Sequence, residues 1–77
     1  MNTIGTSDGI VEVNNIIGMY INEKNSEFEI KLVCTDGIRL FAKYPTREKA
    51  EYFFYDLAMK INYEQNRANL PSNFLLA

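Results

Sequence analysis

Two stretches of strict alternation, joined by a turn signal, constrain this chain more than anything else in it. From Glu27 to Cys34, Phe28, Ile30, Leu32 and Cys34 alternate with Glu27, Glu29, Lys31 and Val33. From Ile38 to Tyr44, Ile38, Leu40, Ala42 and Tyr44 alternate with Arg39, Phe41 and Lys43. A period of two sends successive side chains to opposite faces, so each stretch is a strand with one face inward. The link between them sets the register. A two-residue Asp36-Gly37 loop would put Leu32 opposite Phe41 and point the two best apolar faces in opposite directions. A three-residue Thr35-Asp36-Gly37 loop, with Gly37 left-handed, puts Cys34 opposite Ile38, Leu32 opposite Leu40, Ile30 opposite Ala42 and Phe28 opposite Tyr44. One clean face results, so the three-residue turn is expected.

The same reasoning extends toward the N-terminus. Ile10 to Val13 reads as a short strand, and Asn14-Asn15 can supply the positive φ of a tight turn. A further strand runs from about Ile16 to Asn22, with Gly18 a candidate bulge or close-approach site. A four-residue loop, Glu23 to Ser26, pairs Ile21 with Phe28, Met19 with Ile30 and Ile17 with Leu32. The expected inward face is therefore Ile17, Met19, Ile21, Phe28, Ile30, Leu32, Cys34, Ile38, Leu40 and Ala42. Residues 1–9, with two glycines and small polar side chains, read as a mobile or loosely packed arm with Ile4 its one anchor.

Pro45 ends the last strand and Thr46 is an acceptable N-cap for a helix, with Glu48 well placed against the helix dipole. Lys49 at the third helical position rules out a full capping box. Ala50, Phe53, Phe54, Leu57, Ala58 and Ile61 then recur at helical spacing and can cover the sheet. The helix is expected to end between Tyr63 and Ala68, ahead of Pro71. The fold class is thus α+β: an antiparallel three- to four-stranded meander followed by one C-terminal helix packed on one face. Residues 10–69 form a single β-β-β-β-α domain between the arm and an apolar tail, 70–77.

The chain's 77 residues allow one small domain. With 47% hydrophobic residues, it is too apolar to be a disordered segment. It has no histidine, which removes the commonest neutral-pH acid-base group and metal ligand. Its single cysteine cannot close an internal bridge, which points to the cytoplasm. Cys34, at the inward end of a strand, reads as a small buried hydrophobe with no neighbour to activate it. No apolar run is long enough to span a membrane, and no basic start leads into an apolar core as in a signal peptide. Gly5, Gly9, Gly18 and Gly37 never form a phosphate-cradling loop, and Asp8-Gly9 and Asp36-Gly37 are turn signals without a calcium ladder. No catalytic residue, cofactor or metal is therefore assigned, and the chain reads as a non-enzyme. The run from Thr35 to Leu40, followed by Thr46 to Ala50, is a strand-turn-strand-helix idiom common in small bacterial and phage proteins and carries no activity.

What remains is surplus apolar surface. At about 100° per residue, Tyr52, Tyr55, Met59 and Tyr63 centre roughly 180° from the core stripe of the helix. One helix on one sheet buries only one side, so this row is a candidate contact surface, with a homodimer seam the leading use. Scattered exposed tyrosines need no cause, which keeps simple solvation as the competing reading. Phe74 and Leu75, in the tail, are candidate docking residues. The outer sheet face offers Tyr20, Lys31, Arg39, Phe41 and Lys43, a possible stacking platform for single-stranded nucleic acid. A net charge of -2 and Glu29 within that patch argue against it. The leading expectation is a small, self-associating protein-interaction module, an accessory or inhibitory factor on a larger protein. A structural subunit of a larger assembly is the remaining alternative.

Overall fold

In a computed structural model, which describes residues 2–67, the chain is an α+β domain with an antiparallel three-stranded sheet, a separate two-stranded sheet and one C-terminal helix. The elements are β1 (Thr3–Thr6), β2 (Gly9–Glu12), a 3-10 turn (Val13–Asn15), β3 (Ile16–Lys24), β4 (Glu27–Cys34), β5 (Gly37–Tyr44) and α1 (Arg47–Arg67). The main sheet has the order β3-β4-β5. The strand expected over Ile10 to Val13 is β2, but it pairs with β1 and not with the meander. Where a loose arm was expected, Thr3–Thr6 is a strand, and Ile4 packs against the core.

Asn14 and Asn15 do not take positive φ; they lie in the 3-10 turn, whose Asn15 carbonyl accepts from the Thr35 amide at 2.9 Å. The positive-φ asparagine is Asn25, with Ser26 beside it, and the two form the β3–β4 loop. That two-residue loop replaces the expected four-residue one. Met19 consequently faces Leu32 and Ile21 faces Ile30, a slide of one dyad that leaves the expected side chains on the expected face.

Two bulges account for the remaining departures. In β5, Phe28↔Tyr44 and Ile30↔Ala42 pair as expected, but the register then shifts to Lys31↔Leu40, Leu32↔Arg39, Val33↔Ile38 and Cys34↔Gly37. Phe41 is the extra residue and packs against the core. The shift moves Leu40 and Ile38 to the face that Lys31 and Val33 occupy. In β3 the register shifts between Ile16 and Gly18, so Ile16 is buried opposite Cys34 while Ile17 is exposed. The inward assignments of Ile17, Ile38 and Leu40 are thus overturned. A period-two pattern cannot foresee this, because one inserted residue inverts every side chain beyond it.

The β5 bulge is held from outside. The Ser7 amide donates to both Leu40 O and Phe41 O at 3.1 Å, and the Leu40 amide donates to Asp8 Oδ2 at 2.9 Å. The turn joining β1 to β2 thereby satisfies backbone groups of Leu40 and Phe41 on the edge of β5, which no described strand covers. Gly9 and Gly37 each follow a Ser/Thr-Asp pair and take positive φ, +114° and +138°, which a side-chain-bearing residue rarely adopts. Gly37 has the handedness foreseen, although the ladder starts one residue earlier.

The α1 helix begins as expected: the Lys49 amide donates to Thr46 Oγ1 at 3.2 Å. Ala50, Leu57, Ala58 and Ile61 are buried, and Leu57 and Ile61 meet Val11, Val13, Ile16, Ile30, Leu32 and Cys34 in one core. Phe53, expected in the core stripe, instead stacks on Tyr44 at the sheet margin, with centroids 4.9 Å apart and planes 10° apart. Near the other end of the helix, Gln65 is buried and its Nε2 donates to Val13 O at 3.1 Å and Ile16 O at 3.0 Å. One side chain thus supplies both carbonyls at the junction of the 3-10 turn and β3. Gln65→Ala removes both donations, leaving the Val13 carbonyl only its bond from the Ile16 amide, and should lower the unfolding free energy by about 1–3 kcal/mol, read from the urea midpoint. An unchanged midpoint would show that the junction does not depend on this side chain.

Candidate interaction surfaces

Among the described residues, nothing covers the outer side of the helix. Tyr52 is 70% exposed, Tyr55 50%, Met59 63% and Tyr63 61%. These four fall within a single angular sector of an α-helix over about three turns. Asp56 and Lys60 flank the row and are paired with each other at 3.6 Å across one turn. Tyr52 also lies edge-on against Phe53, at 5.1 Å between centroids, and Tyr55 edge-on against Phe54 at 5.5 Å. The row is therefore partly supported by aromatic neighbours in its own layer. Phe74 and Leu75 lie outside the described residues.

The outer sheet face differs from the expected platform. By register, Tyr20, Lys31 and Lys43 share it with Asn22, Glu29, Val33, Leu40 and Ile38. Phe41 does not belong to it, because the bulge turns that ring to the core. Arg39 stands opposite the buried Leu32, on the other side of the sheet, and pairs with Asp36 at 3.1 Å. The five residues read from sequence as one stacking platform are thus divided between two faces.

Glu29 organises what remains. It is 5% exposed although none of the described elements lies over this face, because its cross-strand neighbours crowd around it. Asn22 Nδ2 donates to Oε1 at 3.1 Å, Lys31 Nζ lies 3.7 Å from Oε1 and Lys43 Nζ lies 3.9 Å from Oε2. The Asn22 hydrogen bond is the main cause of a carboxyl pKa below the ordinary value; the lysines add to it and burial opposes it. Lys31 and Lys43 are therefore engaged by a carboxylate and offer little to a phosphate backbone. At its turn end the face is apolar, with Val33, Leu40 and Ile38, which is 55% exposed; Ile17, 64% exposed, lies at the same end of the sheet.

Chemically reactive groupings are scarce. Burial, and secondarily the Asp36 charge, push the Cys34 thiol pKa up, so thiolate is scarce at neutral pH. Burial also raises the Tyr44 hydroxyl pKa. Among the described residues no group of three or more acidic, cysteine or histidine side chains is placed to hold a metal ion, and no helix is long and apolar enough to cross a membrane. Sequence reasoning missed Glu29 as a buried centre and Ile38 as an exposed one; Asn22 stands opposite Glu29 because of the two-residue β3–β4 loop, and Ile38 is turned outward by the β5 bulge. No family model matches the chain, and no curated protein or solved structure is significantly similar to it.

The depressed Glu29 pKa has a definite sign. A carboxyl whose folded pKa lies below its unfolded value contributes stability above the unfolded pKa, and loses it as pH falls through the folded pKa. Acidification across the carboxylate range should destabilise the wild type more steeply than Glu29→Gln. Thermal midpoints of the two proteins from pH 7 to pH 2 check this; parallel curves would mean that the Asn22 and lysine contacts do not favour the charged form.

Proposed function

We propose that this protein is a non-catalytic interaction module that self-associates through the outer face of α1. In that role it acts as an accessory or inhibitory factor on a larger protein, in the cytoplasm. The observation that carries the reading is the row Tyr52, Tyr55, Met59 and Tyr63: four large side chains, each at least half exposed, with no charge among them.

The size of the row suits a second copy of the same chain. At about 200 Å² for a large side chain, the exposed part amounts to roughly 500 Å² per copy. A symmetric pair then buries about 1,000 Å², the lower bound for a specific interface. Charge placement supports an antiparallel crossing. With a two-fold axis near the Tyr55–Met59 turn, Tyr52 of one copy meets Tyr63 of the other, and Asp56 of one lies beside Lys60 of the other. Tyrosine and methionine also suit a surface that is wetted when free and packed when bound.

Light scattering at two concentrations, about a hundredfold apart, should give a mass that rises toward the dimer. Tyr55→Glu together with Met59→Glu should return it to the monomer, with an unaltered circular dichroism spectrum. Association that survives both substitutions would remove the helix face and leave the apolar end of the sheet, around Ile17 and Ile38, as the contact. A monomer at both concentrations would remove self-association altogether.

A further inference from the structure

A cleft of about 430 Å³ lies between β1 and the last turns of α1. Its floor is Ile4, Val13, Phe41 and Leu57, and Lys60 and Tyr63 stand on its helical side. Val13 and Leu57 belong to the buried core, and Ile4 and Phe41 are partly buried against it, so the cleft opens directly onto the centre of the domain. Asn2 Nδ2 donates to Glu64 Oε1 at 2.6 Å and ties β1 to α1 beside the opening. The volume falls within the range of pockets that enclose a compact apolar group, about 300–1,000 Å³.

We propose that the apolar segment beyond α1, with Phe74 as its anchor, folds back into this cleft of its own chain. The inference shares Tyr63 with the helix-face reading but rests on neither Tyr55 nor Met59. Three observations favour this occupant. Residues 68–77 contain Leu70, Phe74, Leu75 and Leu76 and no charged side chain, so the segment itself carries no ionised side chain into the cleft. The cleft lies beside Lys60 and Tyr63, only about 6–11 Å along the helix axis from Arg67. Phe74 is seven residues beyond Arg67. An extended chain of that length spans up to about 25 Å, and Pro71 favours leaving the helix axis. The return is therefore short and slack. A segment tethered this closely acts at an effective concentration in the millimolar range, which favours its own chain over a neighbour's.

The chain lacks tryptophan, so Phe74→Trp introduces a single reporter. Its emission in the native full-length protein should be blue-shifted relative to the same protein in denaturant. Acrylamide quenching should be several-fold weaker, and both readings should hold over a hundredfold dilution. Ile4→Glu, within the cleft, should abolish the shift while the circular dichroism spectrum stays native; Ile38→Glu, on the outer sheet face, should not. The Ile4 methyl resonance supplies a reading that leaves the cleft unaltered, since the indole ring current should displace it between wild type and Phe74→Trp. Solvent-like emission or an unmoved Ile4 methyl overturns the proposal. So does a blue shift that is lost on dilution, which would place the segment in a second copy. Repeating the emission measurement with Tyr55→Glu plus Met59→Glu separates this outcome from the fate of the helix face.

Discussion

The clasp between the Ser7-Asp8 turn and the bulged edge of β5 is the interaction on which the rest of the arrangement depends. A bulge at Phe41 leaves backbone groups on an edge strand without a ladder partner, and such groups need another hydrogen-bonding partner. Ser7 and Asp8 supply it, through the Ser7 amide and the Asp8 carboxylate. In return the bulge turns the Phe41 ring to the core, next to the hairpin that clasps it. The β1–β2 hairpin is too small to be stable alone. Its place is fixed by this turn at one end and, at the other, by the Val13 amide bonding to Asn2 O at 3.0 Å and by the Asn2–Glu64 bond. The same device stops β5 from pairing edge-on with another chain along that stretch.

Gln65 and the β3 bulge repeat the logic at the opposite edge. Ile16 turns inward to join the core, and its carbonyl, with that of Val13, accepts from a helix side chain. Each edge of the main sheet is thus irregular where it meets a second element, and each irregularity is satisfied by a polar group from that element. The middle of the sheet, by contrast, is regular. There Ile30 and Leu32 are fully buried under α1, and Glu29 is held by Asn22 and two lysines on the outer side.

Legibility from sequence follows this division. The alternation in β4, the face it buries, the Thr46 cap and the start of α1 were all readable, because each depends on spacing within a short window. The parity of β3 was readable too, although its loop was not: Asn25-Ser26 and Glu23–Ser26 loops differ by a slide of two, which preserves faces. What escaped notice depends on contacts far apart in the chain. Nothing near Phe41 announces a bulge; its cause is a turn more than thirty residues earlier. Gln65 carries no local signal of its burial, because its partners lie about fifty residues away. The outer tyrosine and methionine row, in contrast, was visible from helical spacing alone. Its exposure required only that one side of α1 meet the sheet.

Electrostatics separates the two uncovered apolar surfaces. A partner laid across the whole outer sheet face must desolvate Glu29 with Lys31 and Lys43. Taking paired charges out of water costs several kcal/mol per ion before any gain is counted. Only the end near Ile17, Val33, Ile38 and Leu40 avoids that cost, and it is a corner rather than a face. The helix row carries no comparable penalty: its nearest charges, Glu51 on one margin and Asp56 and Lys60 on the other, stay hydrated or exchange partners. Phenolic hydroxyls can likewise keep water at the rim while the rings pack. Of the two surfaces, the one free of buried ion pairs costs less to desolvate, which supports the proposal that association uses α1.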